Sequence, residues 1–141
     1  MTRVVVDTNV VVSSVLTPSG PSFEISGLAS QGLIQLCASV ATVAEYREVL
    51  GRKQFAKLRV LSDRQLTEIS KVCKFVTTAK KVVESPDPDD DIFLECAEAD
   101  KAHYLVTGNV RHFPERWKYT RIVTPRQFLD QFGTPPQKLR R

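Results

Sequence analysis

The stretch Arg3-Val4-Val5-Val6-Asp7-Thr8-Asn9-Val10 decides how this chain is read. Three consecutive valines are what a strand buried on both faces requires, and such strands belong to parallel sheets. The run ends on a carboxylate. Open α/β sheets bind their ligands at the carboxyl ends of strands, so Asp7 stands where a functional acid is expected and ordinary surface charge is not.

Working outward, helical and extended segments alternate. Thr17-Pro18-Ser19-Gly20-Pro21 is a turn cluster, followed by an expected helix over 22–31 that Gly32 stops. A second strand is expected over Leu33–Ala38. Ser39 or Thr42 can cap the next helix, which runs through Glu45 to Leu50. Leu66, Ile69, Val72, Cys73 and Val76 recur at helical spacing, predicting a helix over Ser62–Thr77. Lys80–Val83 reads as a third strand, Asp89–Lys101 as a helix, Tyr104–Val106 as a fourth strand and Arg121–Val123 as a fifth. Thr124 as N-cap and Pro125 at the first helical position open a last helix. This alternation predicts an α/β fold with a mostly parallel sheet covered on both faces.

The 141 residues suit one domain, residues 1–132, with a flexible tail over 133–141. Hydrophobic residues make up 42% and charged residues 26%, values ordinary for a globular chain. No apolar run approaches the ~20 residues of a membrane span, and the short apolar run after Met1 does not suit a signal peptide; a cytoplasmic location is expected. Cys37, Cys73 and Cys96 are scattered, with neither CxxC spacing nor a zinc-like arrangement with His103 or His112, so buried thiols are expected rather than disulfides or zinc. Eight of the sixteen acids fall between Glu84 and Asp100, while bases cluster at 52–64 and 111–126. An acidic focus beside basic patches suits a metal-using nuclease, although solvated helix faces account for the same clustering.

Helical spacing sorts the remaining acids. Glu48 has Arg52 four residues on, a favourable exposed pair. Glu45 has no basic neighbour at that spacing, so Glu45 is the site candidate and Glu48 the surface residue. In Asp87-Pro88-Asp89-Asp90-Asp91, Asp90 shares a face with Phe93 and Ala97 and is expected to be half-buried, whereas Asp91 shares a face with Glu95 and Glu98 and is expected in water. Capping explains part of this run, with Asp87 at the N-cap, Pro88 next and acids against the helix dipole. Four acids exceed what capping needs, and a divalent cation would relieve their repulsion. Thr107 and Asn109 follow the fourth strand as neutral oxygen donors, or serve a tight turn with Gly108. Hard oxygen donors suit Mg²⁺ or Mn²⁺, which activates water for phosphodiester hydrolysis. A phosphorylated receiver-type aspartate fits less well, since position 9 is Asn and no lysine follows a late strand in the expected place.

Taken together, the chain resembles the PIN-domain family, and within it the VapC-like toxins. The resemblance runs from Arg3 to about Phe132. It rests on Val4–Val10 with Asp7, the helix carrying Glu45, the run Asp87–Leu94 with Ala97, Tyr104–Asn109, and the closing Ile122-Val123-Thr124-Pro125-Arg126-Gln127-Phe128-Leu129. It implies a Rossmann-like three-layer α/β/α sandwich and a Mg²⁺- or Mn²⁺-dependent ribonuclease, often a homodimer and commonly silenced by an antitoxin encoded beside it. On matching positions, Asp7, Glu45 and Asp90 carry over as metal-site acids, Asp91 being the alternative if the register slips by one. Thr8 and Asn9 match the small polar residues that buttress the first acid. Asn109 departs from the family's frequent aspartate, which weakens any second metal and leaves room for an inactive RNA- or protein-binding module. Arg111, Arg116 and Lys118 are candidates for holding the RNA backbone.

Overall fold

A computed structural model of the chain describes residues 1–78, 81, 84 and 87–132. Among these residues, six strands form one sheet in the order β3-β2-β1-β4-β6-β5, where β1 is Arg3–Val6, β2 Gln35–Ala38, β3 Lys74–Phe75, β4 Tyr104–Val106, β5 Arg116–Trp117 and β6 Thr120–Val123. All neighbours are parallel except the β5–β6 hairpin. The helices are α1 Thr8–Leu16, α2 Pro21–Ser30, α3 Val40–Leu50, α4 Arg59–Val72, α5 Pro88–Asp100 and α6 Pro125–Phe132.

Val4, Val5, Leu105 and Val106 are wholly buried, as central parallel strands require. Successive strand residues face opposite ways. Cys37 on β2 bonds Asp100 of α5, while its neighbour Leu36 meets Ile69 of α4 around a small cavity, so α5 and α4 cover opposite faces. Helix α5 packs against β1, β2 and β4; α6 lies on β4 and β6, and α2 joins it to α4. The result is the expected three-layer sandwich. Among the described residues, no helix is long and apolar enough to cross a membrane.

Several boundaries follow the local chemistry. Ser39 and Thr42 exchange side-chain and backbone bonds in a capping box at the start of α3. Thr124 and Gln127 do the same at α6. Gly32 takes φ +76° after α2, the left-handed position that glycine adopts without strain.

Three elements depart from the sequence reading. Helix α1 carries no strong helical signal, because its β-branched Val10, Val11 and Val12 favour strands. It forms because Asp7 caps it and Val10, Val11 and Val15 are buried. The predicted helix over 62–77 ends at Val72; Lys74 and Phe75 pair with Cys37 and Ala38 instead, extending the sheet by one edge strand. The sequence reading has no counterpart to β5, which pairs back on β6 through a two-residue loop. The expected strand Lys80–Val83, apart from Lys81, and the tail over 133–141 lie outside the described residues.

Candidate active site

The carboxyl ends of β1 and β4 are tied together by polar side chains. Asp7 leaves β1 and its backbone N–H donates to the Val106 carbonyl at 2.9 Å. Asp7 is only 5% exposed, and three donors are aimed at its carboxylate. Oδ1 accepts from Thr8 N–H at 2.7 Å; Oδ2 accepts from Thr107 Oγ1 at 2.7 Å and Asn9 Nδ2 at 3.2 Å. Burial raises the Asp7 pKa, and the bonds from Thr107, Thr8 and Asn9 oppose that rise by favouring the ionised form.

Thr107 and Asn9 are themselves held. Asn109 N–H donates to Thr107 Oγ1 at 3.0 Å, which leaves that hydroxyl's proton for Asp7. Gly108 N–H donates to Asn9 Oδ1 at 2.9 Å, which turns the amide's NH₂ toward Asp7. A Cβ at Gly108 would stand 3.3 Å from Asn9 Oδ1, so the absence of a side chain lets this turn approach Asn9. Beneath Asp7, Tyr46 of α3 donates its hydroxyl to the Val6 carbonyl at 2.5 Å and stacks on Phe93 of α5. The ring pair thus joins both acid-bearing helices to the end of β1.

A cleft of about 510 Å³ opens over this end of the sheet. Asp7, Thr8, Asn9, Glu45, Asp87, Asp90 and Asn109 line it, together with Val12, Ser13, Val49, Arg52, Gln54 and Phe55. Asp7, Glu45 and Asp90, drawn from positions far apart in the chain, therefore face one space. The side chain of Asp90 is 17% exposed, as its helical position predicted, with His112 Nδ1 3.5 Å from Oδ2. Its pKa is pushed up to about 6, first by burial and then by the negative charges of Asp7 and Asp87, with His112 opposing. Glu48 instead meets Arg52 at 2.8 Å on the surface.

Not every candidate comes to the cleft. Asp91 is buried at 4% exposure rather than in water, because α5 is covered on that side too; its Oδ1 accepts from Glu84 N–H at 3.2 Å, and it does not line the cleft. Arg111 is exposed in the turn Val110–His112 just after Asn109, beside the cleft. Arg116 and Lys118 stand elsewhere: Arg116 pairs across the hairpin with Arg121, which is level with Tyr104 at the amino end of β4. Two cleft residues had sequence roles that understated them. Asp87 was a helix cap and Arg52 a surface partner. His112 had no signal except its place three residues after the polar turn that ends β4.

Among the described residues, no group of three or more His, Cys, Asp and Glu side chains is arranged to hold an ion as it stands. The donor chemistry nevertheless suits a hard divalent cation. The carboxylates of Asp7 and Asp90 repel across the cleft, and Mg²⁺ commonly takes one or two carboxylates and keeps several waters.

A PIN domain family model matches residues 3–111. The fold is similar to the crystal structure of VapBC2 from Rickettsia felis bound to a DNA fragment from their promoter, with a TM-score of 0.61 at 15% identity, covering 85% of this chain and 96% of that one. Comparison with curated proteins gives no match. With the family model spanning most of its length, the chain belongs to the PIN-domain family, whose members are generally nucleases.

Proposed function

We propose that the protein is a divalent-metal-dependent endoribonuclease that hydrolyses RNA phosphodiester bonds, acting in the cytoplasm as the toxin of a type II toxin–antitoxin pair. The observation that carries this reading is the shared cleft: Asp7 raises the pKa of Asp90, so the two carboxylates lie within electrostatic reach, and Glu45 lines the same space. Bound Mg²⁺ or Mn²⁺ would supply an activated water and neutralise charge developing on the phosphodiester.

The chain's own residues have distinct tasks. Asp7 and Asp90 would be direct ligands, with Glu45 orienting a water or completing the shell. Thr8, Asn9 and Thr107 aim Asp7 and favour its ionised form against the effect of burial. Arg52 and Arg111, in and beside the cleft, are placed for phosphate oxygens. A cognate antitoxin is proposed because the similar structure is a VapBC2 complex; a homodimer is proposed on the family resemblance.

A second reading, a PIN-fold binding module without turnover, is favoured by the neutral Asn109 in the cleft and by the absence of a ready three-ligand group among the described residues. Incubation of the purified protein with a structured RNA in Mn²⁺, Mg²⁺ or EDTA separates the two. Metal-dependent cleavage that EDTA stops supports the enzyme. RNA binding with no cleavage under any condition supports the module, and full cleavage in EDTA rejects the metal mechanism.

A further inference from the structure

The opposite end of the sheet carries a second arrangement that the nuclease chemistry does not use. Lys101 and Lys118 are the non-glycine residues with positive φ among those described, both at 54°. Each sits where glycine is the ordinary choice. Helices α2 and α5 end in the same way: Leu33 N–H bonds the Leu28 carbonyl and Gly32 N–H that of Ala29, while Ala102 N–H bonds Ala97 and Lys101 N–H bonds Glu98. The first uses Gly32 at the left-handed position; the second uses Lys101 there. Lys118 opens the two-residue hairpin loop between Trp117 and Thr120, again a position that selects glycine.

Each lysine lies over an aromatic ring, Lys101 over the open Tyr119 and Lys118 over the half-buried Trp117 on the core side of the hairpin. Lys101 Nζ is 5.8 Å from the centre of Tyr119, and Lys118 Nζ is 5.3 Å from that of Trp117. Tyr119 is 67% exposed. Arg116 and Arg121 stand directly opposite each other on β5 and β6, a like-charge pairing that costs stability in a hairpin. Both arginines line two adjoining depressions of about 280 and 420 Å³, and Glu115 is the one carboxylate on either wall among the described residues. The nearby Asp100 is buried and faces Arg3, Lys74 and Cys37.

Backbone strain, like-charge pairing and an exposed ring are each unfavourable for folding alone, and together they describe a site for a polyanion with planar bases. We propose that the face formed by Lys101, Arg116, Tyr119 and Arg121 binds single-stranded RNA at a distance from the cleft, the three cations on phosphates and Tyr119 stacked on a base. Identifying this RNA with the substrate rests on the ribonuclease reading; the binding itself does not.

The test uses the full chain in EDTA, so that no cleavage intervenes, with a fluorescein-labelled 12-nucleotide RNA followed by anisotropy across a salt series. Replacing the three cations together (Lys101→Gln, Arg116→Gln, Arg121→Gln) is expected to lower the slope of log K against log salt by about 2, from roughly 0.7 per phosphate contact. Tyr119→Ala is expected to weaken binding by roughly 5-fold or more. Lys101→Gly supplies a readout independent of folding damage: relief of positive φ raises Tm while RNA affinity falls. Unchanged slope and affinity in the threefold variant overturn the proposal. So does displacement of RNA by a polyglutamate peptide of equal charge as readily as by unlabelled RNA, which would point to an acidic protein partner. A wild type that never cleaves yet shows the expected slopes would reject the nuclease reading and leave this face standing.

Discussion

The two ends of the sheet are built from the same strands and are chemically opposite. At the carboxyl end, Asp7, Glu45, Asp87 and Asp90 face a cleft, and Asp7 is held by Thr8, Asn9 and Thr107. At the amino end, Arg3, Lys101, Arg116, Lys118 and Arg121 gather on open surface around few acids. Parallel topology produces part of this difference. Helix N-termini follow the strands at one end and helix C-termini precede them at the other. Asp7 caps the start of α1, whereas Arg3 donates to the Asp100 and Lys101 carbonyls at the end of α5. The dipole therefore favours an acid at one pole and a base at the other before any ligand is considered. What capping does not explain is excess: several acids in one cleft and two strained lysines beside paired arginines.

That comparison breaks most sharply at Asp7. Asp7→Asn should lower metal-dependent RNA cleavage by at least about 10³-fold in single-turnover assays while the circular dichroism spectrum stays native. If activity survives, the acidic pole is not where chemistry occurs. Thr107→Val comes next. It removes the buried bond to Asp7 Oδ2 and strands the Asn109 N–H, so urea denaturation should show a loss of about 1–3 kcal/mol, and cleavage should fall with it.

Asp90 should respond in the other direction. Its folded pKa, about 6, lies above the ~3.9 of an unfolded carboxyl. Its contribution is therefore most favourable below about pH 4 and is lost as pH rises through 6. In EDTA at pH 7, Asp90→Asn should stabilise the protein by about 1–2 kcal/mol after allowance for solvent screening, and the gain should vanish near pH 4. Added Mn²⁺ at a fixed concentration should stabilise the wild type more than the variant. Thermal melts across pH with and without metal check both statements. The smallest effect is expected at Gly108→Ala, where the new Cβ crowds Asn9 Oδ1: a several-fold loss of cleavage with under ~1 kcal/mol of destabilisation.

The acidic pole was more legible than the basic one for a physical reason. Asp7 ends a valine run, and Asp90 shares a helical face with Phe93, so strand-end position and helical spacing set both apart from the surface acids. Asp91 was misplaced because a single helical face was taken as exposed, while packing around α5 buries it at 4%. The basic pole depends on a hairpin and on two φ values, and neither leaves a mark in hydrophobic periodicity: Lys118 carries no glycine to announce its turn. Helix α1 was hidden likewise, since its valines read as strand until Asp7 caps them and the core receives them. Edge strand β3 was lost inside a helical pattern that Cys73 and Val76 fit equally well.

The most direct test is the affinity of the cleft for a cation. Titration of the metal-free protein with Mn²⁺, followed by electron paramagnetic resonance of the free ion, should show one saturable site that Asp7→Asn abolishes and Asp90→Asn weakens at least about 10-fold. Equal Mn²⁺ binding by wild type and both variants, or none by the wild type, would contradict the account.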